Sequence, residues 1–143
     1  MTDSEASLLP HTPPAILLQE ITQKEPGILT ATTVLGELNS PWMEPPGMPV
    51  AFGMEIIAQA AALVITSKAK ADPDSRKLIG GRLVSSNLFR SVVEYLPAND
   101  ILHVTAQLVD SSAMGYFRFN GQIKLDGKEL LFVEFTVLAL YSE

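Results

Sequence analysis

Few side chains in this sequence can move a proton at neutral pH. Among its 143 residues there is no cysteine and there are only two histidines, His11 and His103, so thiol nucleophiles, thiolate metal sites and disulfides are all excluded. The carboxylate best placed for chemistry is Glu55, which stands with Gln59 inside the nearly unbroken apolar run of residues 47–66. Flanked by Phe52, Met54, Ile56 and Ile57, it would be withdrawn from water, the setting that general acids and bases use. The bland reading is an ordinary acidic residue in the first turns of a helix, where the dipole favours an anion. Gln59, one turn further on, either orients the same water or hydroxyl as Glu55 or satisfies buried backbone groups of a covering sheet.

The other candidates are weaker. His11 lies in a Pro-rich lead, where it serves as a base or simply as part of the lead. His103 shares a strand face with Thr105 and Gln107, the pattern of a polar outer surface. Glu44, in a Pro-rich stretch, reads as a solvated acid.

These residues need a scaffold, and its elements can be read in order. Residues 15–21 are apolar and residues 28–35 are rich in Thr and Val, with Glu25-Pro26-Gly27 between them as a turn, which predicts a first hairpin. Residues 36–49 contain four prolines and predict a long loop, a candidate lid or site wall. From Ala51 to about Lys70 good helix formers predict a helix roughly 27–30 Å long. Helical spacing puts Glu55, Gln59, Ala62 and Thr66 along one stripe and Ile57, Ala61 and Val64 opposite. The helix is apolar nearly all round and is long enough to span a bilayer. Its internal Glu55 and Gln59, and the amphipathic strands that follow, instead predict a helix enclosed by a sheet.

Those strands are residues 78–89, 101–110, 116–125 and 130–140. Residues 96–100 carry turn chemistry, and Asp126-Gly127 is a strong hairpin signal. Over residues 116–125, Arg118, Asn120, Gln122 and Lys124 alternate with Phe117, Phe119, Ile123 and Leu125. Tyr116, Phe117, Phe119, Phe132 and Phe135 are expected in the core, or some of them instead as the apolar wall of a ligand cavity. The expected class is α+β: a single domain over residues 1–143, with residues 1–8 as a lead, in which an antiparallel sheet wraps one long central helix.

Composition narrows the partners. A formal net charge of -6 argues against general nucleic-acid binding, and the acidic, polar residues 1–7 lack the features of a secretory signal, which leads to an expected cytoplasmic location.

Two stretches resemble the hotdog-fold 3-hydroxyacyl-carrier-protein dehydratases: Leu9-Pro10-His11 leading into residues 15–20, and residues 49–60, where Glu55 is followed by Ala58-Gln59. Leu78-Ile79-Gly80, Asn87-Leu88-Phe89-Arg90 and Asp126-Gly127-Lys128 are similar as well, so the resemblance spans nearly the whole chain. It looks closest to the subgroup associated with aryl polyene biosynthesis. The resemblance implies a hotdog fold, a homodimer with sites between subunits, and an acyl thioester carried on acyl carrier protein or coenzyme A; no cofactor or metal is implied. It assigns Glu55 as the acid that helps the hydroxyl leave, Gln59 as its orienter, and backbone N–H groups near Gly53 or Gly80 as donors to the thioester oxygen. Arg90, with Lys68, Arg76, Lys77 and Arg82, could form a positive patch for an acidic carrier or a phosphopantetheine arm, or could be scattered surface charge.

The chain departs from that pattern in one respect. Residues 39–49 contain no histidine where the family's His-x-Pro-Gly motif would fall, so the base would be His11 or a water. A hotdog thioesterase, in which a helix carboxylate activates water, and a non-catalytic acyl-binding subunit paired with a competent dehydratase are the alternatives.

Overall fold

The computed structural model describes residues 18–36, 43, 47–71 and 78–141. Two strands, β1 (Glu20–Glu25) and β2 (Ile28–Val34), form the first hairpin around Pro26 and Gly27, whose φ of 80° only glycine adopts freely. A short strand β3 (Gly47–Pro49) and one 3-10 turn (Val50–Phe52) lead into the long helix α1 (Gly53–Ala71). There follow β4 (Leu78–Ser91), a short β5 (Tyr95–Pro97), β6 (Ile101–Ser111), β7 (Tyr116–Leu125) and β8 (Lys128–Tyr141).

Six of the strands make one antiparallel sheet in the order β1-β2-β6-β7-β8-β4, and α1 lies across it, chiefly on β6 and β2. Period-two alternation sends one side of each central strand to the helix. Leu102, Val104 and Ala106 of β6, Phe119 and Ile123 of β7, and Leu131, Val133 and Phe135 of β8 are all fully buried. Burial of each large side chain contributes about 1.5–3 kcal/mol, and Phe119 and Phe135 also stack with ring centroids 5.5 Å apart. Where α1 crosses β7 there is room only for glycine: a Cβ on Gly121 would overlap the Ile57 side chain. The helix start is equally tight, since a Cβ on Gly53 would sit 2.6 Å from Leu131 Cδ2.

The helix matches the expected boundaries. Val50–Lys70 is long and apolar enough to cross a membrane by composition, but 50% of that stretch is buried inside the domain, on the sheet. The strands over residues 78–91, 101–111, 116–125 and 128–141 also fall where periodicity put them.

Four details differ. The first strand lies on the polar residues from Glu20 onward; it is an edge strand paired only with β2, so it does not need an apolar face, and residues 15–17 are outside the described residues. The end of the expected loop, Gly47–Pro49, pairs with Tyr95–Pro97, so Leu96 and Pro97 are strand and the turn narrows to residues 98–100, with Asn99 at φ 67°. This small ladder, with Val50 N–H donating to the Glu94 carbonyl at 2.9 Å, ties down the entrance to α1. Tyr116 and Phe132 are not core residues. Each sits one position out of step with the buried set of its strand, on the outer face.

The turn between β7 and β8 gives a simple test of local geometry. Asp126 and Gly127 both have positive φ, 51° and 78°, as a primed two-residue hairpin requires. Nothing crowds a Cβ at Gly127, so Gly127→Ala should cost only backbone strain, about 1 kcal/mol in urea denaturation, with no change in the denaturant slope.

Candidate active site on the open flank of the helix

One flank of α1 is not covered by the sheet. Glu55, Ala58, Ala62 and Thr66 are half-buried along it, at i, i+3, i+7 and i+11, and Ala51 at its head is exposed. The chain packs small residues there, and Thr66 turns its hydroxyl back to the Ala62 carbonyl at 2.8 Å, which keeps the flank low. Glu55 is thus the one ionisable side chain rising from a strip of small residues, with Phe52 beside it 39% exposed. Its expected apolar shelter is only partial within one chain. Ile56 and Ile57 turn into the sheet and are fully buried.

Gln59, only about 40° further round the helix than Glu55, is fully buried and, like Glu55, is engaged by neighbouring groups. Ile57, Ala61 and Val64 are buried opposite, as helical spacing indicated.

Beside the open flank runs β4, whose exposure could not be read from the sequence. It is the edge of the sheet, bonded only to β8, and residues 81–91 are exposed on both faces. Leu83, Val84, Leu88 and Phe89 are 39–50% exposed there. An exposed edge of this length with large apolar side chains is a template for pairing with another chain.

The remaining candidates are spread out. The Gly53 N–H is turned back on the carbonyls of Val50 and Ala51 at the start of α1. Gly80 lies at the opposite end of β4 from the residues that border the helix start, since Gly80 pairs with Leu140 while Ser91 pairs with Leu131, the neighbour of Gly53. Arg90 is held at the Glu55 end of the sheet by Glu129, Nη2 to Oε2 3.1 Å, and lies 4.8 Å over the Phe132 ring. Arg82 is eight positions away on β4, about 26 Å at strand spacing, and Lys68 sits at the far end of α1 against Phe117. The described cations therefore do not converge on one patch. His103 is exposed on the outer face of β6, paired with Thr32 and Lys124. His11, Glu44, Arg76 and Lys77 lie outside the described residues.

Residues 4–140 match the ApeP-like family, described as ApeP dehydratase. The chain belongs to the ApeP-like dehydratase family. The central helix of this ApeP-like chain carries Glu55, in a sequence that has no histidine over residues 39–49. No curated protein matches the chain. Among solved structures, it superposes on a chain of the dehydratase heterocomplex ApeI:P from Xenorhabdus doucetiae with a TM-score of 0.85 and 18% identity, covering 96% of this chain and 91% of that one. A hypothetical thioesterase from Streptococcus pneumoniae TIGR4, solved with coenzyme A, gives a TM-score of 0.65 at 16% identity over 87% of each chain. A variant of a thioesterase enzyme from Staphylococcus aureus subsp. aureus Mu50 gives 0.63 at 15% identity, over 84% of this chain and 91% of that one. At these identities the likenesses establish the hotdog fold, which ApeP-like dehydratases share with thioesterases.

Proposed function

We infer that this ApeP-like chain takes part in dehydrating 3-hydroxyacyl thioesters, carried on acyl carrier protein or coenzyme A, in a cytoplasmic pair of hotdog subunits joined through β4. The observation that carries this reading is Glu55, half-buried on a strip of small residues next to an unpaired apolar strand edge. A second subunit laid along β4 would complete the burial of that carboxyl. If two β4 strands pair antiparallel about their midpoint, the Gly80 end of one lies opposite Phe89 of the other. A backbone donor near Gly80, distant from Glu55 within one chain, then comes close to Glu55 across the pair.

The chemistry needs two groups. A base removes the C2 proton; the electron pair becomes the C2–C3 double bond as the C3–O bond breaks. Glu55 gives its proton to the departing hydroxyl, which leaves as water, and Gln59 stiffens the helix turn behind it. Backbone N–H groups take up the negative charge that grows on the thioester oxygen.

The partner subunit is either a second copy, with His11 or a water as base, or a competent dehydratase of the same fold that brings its own base. The missing histidine of residues 39–49 favours the second, and the similar chain of known structure comes from a heterocomplex. Incubating the purified chain with a 3-hydroxyacyl carrier thioester, alone and with a co-expressed hotdog dehydratase from its own host, separates the readings. Enoyl product only in the presence of the partner is the expected result. Enoyl from the chain alone, lost in His11→Ala, would establish the homodimer instead. Free thiol without enoyl product would establish a thioesterase and remove the dehydratase reading.

A further inference from the structure

A cavity lies at the end of α1 away from Glu55. It has a volume of about 580 Å³ and opens between the β1–β2 turn, the last turns of the helix and β6. Its inner wall is apolar, made by Leu29, Val64 and Leu108. Two exposed lysines, Lys24 and Lys68, stand at its mouth with one carboxylate, Glu25. Ser67 also lines it, with its hydroxyl oxygen buried rather than open to the cavity.

The cavity is separate from the Glu55 flank. Ser67 is twelve positions along α1 from Glu55, about 18 Å at helical rise.

We propose that this cavity binds an amphipathic anion, an unbranched aliphatic carboxylate whose tail lies against Leu29, Val64 and Leu108 and whose head meets Lys24 and Lys68. The size is that of a small-molecule site rather than a packing defect. The charge balance selects the sign. Two ammonium groups outweigh Glu25 and the partial negative charge of the helix C-terminus. Neither lysine is paired with a carboxylate among the described residues: Lys68 has only the Ser111 hydroxyl, at 3.4 Å, and the Phe117 ring, 5.6 Å from its Nζ. In a chain of net charge -6 this is an unneutralised positive mouth over an apolar floor. The inference is independent of the reading of Glu55.

Titration calorimetry of the full chain with decanoate, and with uncharged 1-decanol, tests it. Decanoate is expected to bind with a submillimolar Kd, and decanol about tenfold more weakly. The double variant Lys24→Gln/Lys68→Gln changes only exposed side chains and should raise the decanoate Kd about tenfold, Leu108→Trp should fill the cavity and abolish binding, and Glu55→Gln should leave it unchanged. Methyl resonances of Leu29 and Val64 should shift on titration. The proposal is overturned if decanoate does not bind, if decanol binds equally well, or if binding survives the lysine double variant unchanged. It is also overturned if Glu55→Gln removes binding, which would place the ligand at the other end of the helix. Should Leu108→Trp fail to fold, the lysine variant and the methyl shifts still decide.

Discussion

Glu55→Gln should lower the rate of enoyl formation in the active assembly by about 10²–10⁴-fold while leaving the thermal unfolding midpoint nearly unchanged. The substitution keeps the size and the hydrogen-bonding capacity of the side chain and removes only the transferable proton. The flank on which Glu55 stands is open in one chain, and an amide of the same shape keeps the side chain's place on it. The hydroxyl of a 3-hydroxyacyl group is a poor leaving group, and the whole effect should therefore fall on kcat, with substrate binding kept. A paired measurement of circular dichroism and enoyl absorbance checks this. A variant that keeps full activity would show that the proton comes from elsewhere and that Glu55 is an ordinary helix acid.

The second large effect is predicted at the crossing of α1 and β7. Gly121→Ala places a methyl group where Ile57 already lies, and 3.3 Å from Phe135 Cε1. Both neighbours are fully buried, so neither can swing into solvent, and overpacking should cost about 1–3 kcal/mol. Ile57→Ala alone opens a cavity under the sheet and should cost about 2–5 kcal/mol. Together the two changes should cost less than their sum, because the new methyl group occupies space that the isoleucine has vacated. Urea denaturation of the two single variants and the double variant measures the coupling. Strict additivity would mean that the two residues do not share that space.

The face of α1 that carries Ile57 is closed by the sheet of the same chain, and the flank with Glu55 is open. That division explains why α1 is apolar nearly all round and yet has a half-exposed stripe. Alanines at 58 and 62 suit a surface that a neighbouring backbone approaches closely.

Residues 116–125, the Asp126-Gly127 turn and the long helix were legible from the residues alone because each depends on neighbours a few positions away. Alternation of side chains is a property of one strand, positive φ is a property of one or two residues, and helix length follows from a run without breakers. The family resemblance was legible for the same reason, since Glu55 and Ala58-Gln59 lie within two turns. Other features are set by partners far along the chain, and only the tertiary structure decided them. Gln59 is fully buried while Glu55, about 40° away on the helix, is half-buried, because the sheet covers one side of α1 and stops short of the other. Tyr116 and Phe132 face outward because pairing of β7 with β8 sets which parity is inside, and aromatic character does not. β4 is exposed because strand order leaves it at the edge, and Arg90 is drawn to Glu129 because the β4–β8 register brings them together, away from Lys68 and Arg82. Short-range preference wrote the elements of this ApeP-like chain; long-range register determined which of their faces remain open.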